Sequence, residues 1–318
     1  MANSTPLATD AGTSRGRDEP STQREIAAKL PEGWLSRYPW ATFVLPMIVF
    51  MLLGSFEPTP PENFDPHDAE NLTELRAQLE RAEALEATSG NWLPRFSYQA
   101  YPWIYSAKIA VVVLTMIAVW PGYRTFPWRF HAVAVVVGVV GVVLWIVLCH
   151  LRLEPKLLGP LDRFLGGLIP GRDPAAEPSV GLLGMLGTGK RSAYNPFVYL
   201  ADQPVLAWAF LAVRFFGLAI VVPVIEEFFL RGFLMRFVVH EQWWQVPFGT
   251  ATRAALIVGA AVPMLMHPGE LLAAFVWFSL VSWLMVQTKN IWDCVVAHGV
   301  TNFLLGVYVV AFDQWQLM

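Results

Sequence analysis

Residues His131 to Leu151 read HAVAVVVGVVGVVLWIVLCHL, with no Asp, Glu, Lys or Arg anywhere in the run. About 20 mostly apolar residues are enough for a helix to cross the hydrocarbon core of a bilayer, so this stretch reads as a membrane span. Its alternation of Val with Gly138 and Gly141 suits close helix contact in lipid, where small residues let backbones approach. Working outward, similar runs occur at Trp40–Phe56, with Tyr38 flanking it, and at Tyr101–Trp120, which carries Lys108 inside it. A lysine there either snorkels to an interface or faces a neighbouring helix. Beyond Pro204 the apolar pattern is almost continuous, at Val205–Val222, Pro223–Val239, Arg253–Met266, Leu271–Met285 and Ile291 to about Phe312. The expected fold is therefore all-α, a polytopic membrane bundle of roughly seven to eight helices.

Composition agrees. The chain is 55% hydrophobic and only 15% charged, with a mean hydropathy of +0.45, too little charge to cover a water-facing surface of this size. A formal net charge of -3 and scattered basic residues exclude nucleic acid as a partner class. Cys149 and Cys294 lie in apolar surroundings without CxxC spacing, which indicates neither a zinc ribbon nor a disulfide framework.

Three regions are expected. Residues 1–37 form a polar tail with few large apolar side chains and no signal-peptide pattern. Residues 38–203 hold the first membrane helices, an acidic amphipathic helix within AENLTELRAQLERAEALEA, and a Pro- and Gly-rich interfacial connector. Residues 204–318 form a separate membrane core. Lys and Arg near the first span and after the second, at Arg24, Lys29, Arg37, Arg124 and Arg129, favour a cytoplasmic N-terminus. In the connector, Gly184–Lys190 reads GMLGTGK, the spacing of a phosphate-binding loop, but Arg191 stands where the magnesium-binding hydroxyl is required. Nucleotide binding is excluded on that ground.

The chemistry lies in the last third. Pro223-Val-Ile-Glu226-Glu227-Phe-Phe-Leu-Arg231 places two acids inside an apolar helix, where ionisable groups are costly and mark a functional site by default. Glu227 and Arg231 stand at i and i+4 in the favourable order and read as a structural ion pair. Glu226 points about 100° away and has no local cation, which makes it a candidate general base. His267 precedes Pro268 at the end of an apolar helix, where helices usually stop. His298 and Asn302 are again i and i+4, on one face of the last span, so their side chains are expected to converge on one point. Taken alone, the acids and Arg231 also fit a purely stabilising polar network.

EEFFLR at Glu226–Arg231, His267, and HGVTN at His298–Asn302 together resemble the EExxxR, FxxxH and HxxxN motifs of the CAAX protease and bacteriocin-processing family, with Pro263 in place of the usual Phe. The resemblance covers about Pro204 to Met318. It implies an intramembrane glutamic endopeptidase without a cofactor, in which Glu226 and His267 activate a water while His298 and Asn302 hold the developing oxyanion. The stretch from His267-Pro-Gly-Glu to Trp315 further resembles the subgroup that accompanies exosortase sorting systems, which implies a bacterial inner membrane location and a link to such a system. The implied partners are the bilayer and a membrane-associated protein or peptide substrate. Two other readings stay open: a zinc-dependent protease, since two histidines and two glutamates are ligand types although the spacing is not HExxH, and a non-enzymatic scaffold or sorting partner that keeps the fold.

Overall fold

The structure is a computed structural model, describing residues 33–61, 71–87, 96–154 and 193–317, with isolated positions between 156 and 164. Most of the polar tail, most of the connector and the GMLGTGK loop lie outside the described residues. At the tail's end, Trp34–Arg37 form a helical turn with Leu35 buried.

Among the described residues there are helices and no strands. The principal ones are α1 (Ala41–Gly54), α2 (Leu72–Ala87), α3 (Tyr101–Ala118), α4 (Ala132–Leu151), α5 (Pro204–Val239), α6 (Arg253–Met266), α7 (Leu271–Thr288) and α8 (Ile291–Phe312). Five of these, α3, α4, α5, α7 and α8, are long and apolar enough to cross a membrane, while α1 and α6 are shorter apolar helices. The chain is an integral membrane helix bundle. At about 1.5 Å per residue, α6 rises about 21 Å, short of the roughly 30 Å hydrocarbon core.

Helix α4 shows how a span with little polar contrast still chooses a face. Ala134, Val137, Gly138, Gly141, Val142 and Trp145 point inward, while Val136, Val139, Val140 and Val143 stay exposed for lipid. The inward positions recur at three- and four-residue spacing, and the discriminating property is size rather than polarity. A Cβ on Gly138 would stand 2.7 Å from the Ala297 carbonyl, and one on Gly141 2.6 Å from the Trp277 indole nitrogen, so bare backbone lets α4 lie directly on α8 and α7. The ends of this pair are tied as well. His131 meets the fully buried Asp293 carboxylate through its backbone N–H and its Nδ1, both at 2.7 Å, and Asn290 donates to the Arg129 carbonyl at 2.7 Å.

One expectation is corrected. The reading that began a new helix at Pro223 fails, because Pro204–Val239 is one continuous 36-residue helix. Proline inside a helix normally breaks it through a missing N–H and a ring clash. Here the turn before it, Gly217–Val221, widens into π-helix, in which each carbonyl pairs five residues ahead. The Gly217 carbonyl duly accepts from the N–H of Val222. The Leu218 carbonyl would pair with residue 223, which has no N–H to give. That carbonyl accepts instead from the Asn302 side-chain amide of α8 at 2.9 Å. A second π segment, Phe228–Leu234, follows the two acids.

Around this frame α2 packs Leu75 and Leu79 against a cluster of Tyr98, Tyr105, Tyr194, Tyr199 and Phe210, and Glu83 accepts from the Tyr98 N–H at 2.7 Å. Lys108, the charge inside the second span, is buried, pairs with Glu57 and lies 4.1 Å above the Phe50 ring. It faces a neighbouring helix. Cys149 and Cys294 are both free thiols.

Candidate active site

Helix α5 delivers Glu226, Glu227 and Arg231, the C-terminal end of α6 delivers His267, and α8 delivers His298 and Asn302. Because α5 runs unbroken past Pro223, its acids are held on a rigid rod rather than at a frayed helix start.

Glu227 and Arg231 are both fully buried. Arg231 Nη1 lies 2.9 Å from Glu227 Oε1 and 2.8 Å from Oε2. Nη2 donates to the Phe278 carbonyl of α7 at 3.0 Å, and the guanidinium sits 5.2 Å above the Phe278 ring. The pair is therefore a link between two helices as well as a local one. Glu227 Oε1 has a second partner, His298 Nδ1 at 2.8 Å. A carboxylate accepts here, so Nδ1 carries the hydrogen, and Nε2 is turned to Glu226, whose Oε2 is 3.9 Å away. Glu226 keeps about an eighth of its side chain exposed, against none for Glu227. The two neighbouring acids thus occupy different environments, one locked in a three-way contact and one open toward an imidazole nitrogen.

His267 terminates α6. Its Nδ1 lies 2.9 Å from the carbonyl of Pro263, one turn back, which fixes Nδ1 as donor and leaves the lone pair on Nε2. Its ring meets Trp145 edge-on at 5.7 Å and Phe278 at 5.5 Å. Pro263 thus meets His267 through its backbone carbonyl, an atom that any residue would supply.

The structure brings Glu226, Glu227, Arg231 and His298 into direct contact. His267 shares the Phe278 ring with His298, at 5.5 and 6.2 Å respectively, and among the described residues no hydrogen bond joins it to Glu226. Asn302 lies one turn beyond His298 but uses one amide hydrogen on Leu218. Its position is decided partly by the proline-made gap in α5. Two neighbours had no signal in spacing: Trp277, whose ring stands 4.5 Å edge-on to His298, and Thr301, which accepts from Trp277 Nε1 at 3.1 Å. Thr301 lies within HGVTN, so its motif position alone was available as a hint. Trp277 stands in an apolar run with nothing to mark it. No group of three or more His, Cys, Asp or Glu among the described residues is placed to hold a metal ion.

Comparison with known proteins bears on this same segment. Residues 207–304 match the family model described as Rce1-like, type II CAAX prenyl endopeptidase. No curated protein matches the chain, and no solved structure matches it. The matched residues span α5 through most of α8 and contain every side chain of the polar cluster. Over residues 207–304, about a third of its length, the chain is similar to the Rce1-like family of type II CAAX prenyl endopeptidases, which are membrane proteases.

Proposed function

We propose that this protein hydrolyses a peptide bond of a membrane-associated substrate with a water activated by Glu226 and His267, and that His298 and Asn302 stabilise the oxyanion. The observation that carries this reading is the unequal treatment of the two acids: Glu227 is engaged by Arg231 and His298, whereas Glu226 stands open, 3.9 Å from His298 Nε2. Glu226 takes a proton from water as the oxygen bonds to the carbonyl carbon. His267 Nε2, a lone-pair acceptor, accepts a hydrogen bond from the second water hydrogen, which stays on the attacking oxygen, and so fixes the direction of attack. Charge then builds on the former carbonyl oxygen. His298 is held for this by Glu227 at Nδ1, with Nε2 turned toward the Glu226 side. The second amide hydrogen of Asn302 is the companion donor. Collapse breaks the C–N bond, and the proton held by Glu226 passes to the leaving nitrogen. A base and a preorganised donor each contribute orders of magnitude in rate.

Resemblance to the exosortase-associated subgroup supports a sorting-signal protein of a bacterial inner membrane as a substrate to test beside a prenylated CAAX-type peptide. The test is Glu226→Gln, nearly isosteric but unable to accept the proton. Purified in detergent, it is expected to keep the wild-type melting temperature and lose turnover of a quenched farnesylated peptide. In membranes, the precursors that accumulate identify the substrate. Near-native turnover by this variant would refute the mechanism.

A further inference from the structure

We infer that Trp277 is a positioning residue for this reaction: it walls the His298 imidazole so that Nε2 stays turned to Glu226, and it is itself pinned by α4 through Thr301 and Gly141. The inference rests on the proposed role of His298. One hydrogen bond, from Nδ1 to Glu227, fixes only a single point of the His298 ring. A flip that exchanges Nδ1 and Cδ2 would turn Nε2 away from Glu226, and this single hydrogen bond is what opposes it on the polar side. A second constraint is needed. The Trp277 ring supplies it, with its centroid 4.5 Å from the imidazole and an interplanar angle of 64°.

Trp277 is held in turn on several sides. It is nearly fully buried. Its Nε1–H donates to Thr301 Oγ1 at 3.1 Å, and the Thr301 hydroxyl has the carbonyls of Gly138 in α4 and Ala297 in α8 to donate to, each at 2.9 Å. A hydroxyl has one hydrogen and can accept while it donates, so Thr301 is a junction of α4, α7 and α8. Behind the indole, the bare Cα of Gly141 leaves no spare room, since a Cβ there would lie 2.6 Å from Nε1 and 2.7 Å from Cδ1. Phe278 closes another side at 4.7 Å, edge-on. Helix α4 lies outside the residues that match the family model, so this chain orients a core imidazole from an element beyond that core.

The test uses full-length protein labelled with ¹⁵N-histidine in detergent micelles. The His298 signal is assigned by its loss in His298→Gln. Wild type is expected to show one sharp, slowly exchanging Nδ1–H resonance. In Trp277→Leu that resonance should broaden or vanish, and kcat on the farnesylated peptide should fall by up to about 10²-fold with KM unchanged. Thr301→Val, which keeps the shape and deletes the acceptor, should move both readouts the same way, and Thr301→Ser should restore them. The Thr301 pair decides the matter if Trp277→Leu fails to fold. A wild-type His298 resonance in folded Trp277→Leu or in Thr301→Val overturns the inference, as does a rise in KM alone, which would make Trp277 a substrate wall. If wild type cleaves no peptide, the proposed function fails on that point, while the resonance still decides the fate of Trp277.

Discussion

Replacing Gly299 by Ala tests how the two halves of the site are held together. Gly299 sits in α8 between His298 and Asn302, and a Cβ there would stand 2.6 Å from the backbone carbonyl oxygen of Ala219 in the π segment of α5. Ordinary contact begins at 3.4 Å, so the helices must part locally by about 0.8 Å, and neither partner is a flexible side-chain tip. Overpacking of this kind costs about 1–3 kcal/mol. The Asn302–Leu218 hydrogen bond, now 2.9 Å, would stretch past the useful range, a further loss of about 1 kcal/mol. His298 moves with its helix, and a misplacement approaching 1 Å reduces turnover by about 10²-fold. The measurements are thermal unfolding in detergent and turnover of the farnesylated peptide, with Gly54→Ala, which meets nothing within 4 Å, as the neutral control. A Gly299→Ala protein with wild-type melting and turnover would refute the claim that backbone contact between α5 and α8 sets the site.

Arg231→Ala should lower yield and stability together, by about 3–5 kcal/mol, because it leaves the Glu227 carboxylate buried without its cation; chemical unfolding in mixed micelles checks it, and normal stability with lost activity would make Arg231 a substrate-binding group. Asn302→Ala should cost about 1–3 kcal/mol by stranding the Leu218 carbonyl. That cost should shrink in a Pro223→Ala background, where residue 223 regains an N–H, and a double-mutant cycle on melting temperature with no coupling would remove this account of the π segment. His298→Ala and Asn302→Ala should each slow the chemical step by about 10² to 10³, and the double variant should fall by less than the product of the single effects; simple multiplication in single-turnover kinetics would mean that they do not act on one oxygen.

The bundle was legible in the chain because a bilayer core demands long apolar helices whatever their later packing, and among the described residues seven apolar helices stand close to where the runs lie. The i, i+4 spacing likewise fixed the Glu227–Arg231 pair, since both partners sit on one helix and their distance needs no tertiary information. Pro223 misled for an equally local reason: in sequence it can only be read as a start or a break. Whether a helix survives it depends on what satisfies the carbonyls it orphans, and that partner, Asn302, is 79 positions away on α8. The same limit applied to His298, whose spacing to Asn302 predicted a shared target, while its Nδ1 is taken by Glu227 across a helix interface. Trp277 was indistinguishable from ordinary span residues, and Gly141 was marked only for close helix contact with no partner named, until three helices met around them. Sequence determines which residues one helix presents together; only packing decides which groups from different helices meet, because hydrogen bonds and close contacts between helices depend on register and distance that no local pattern encodes.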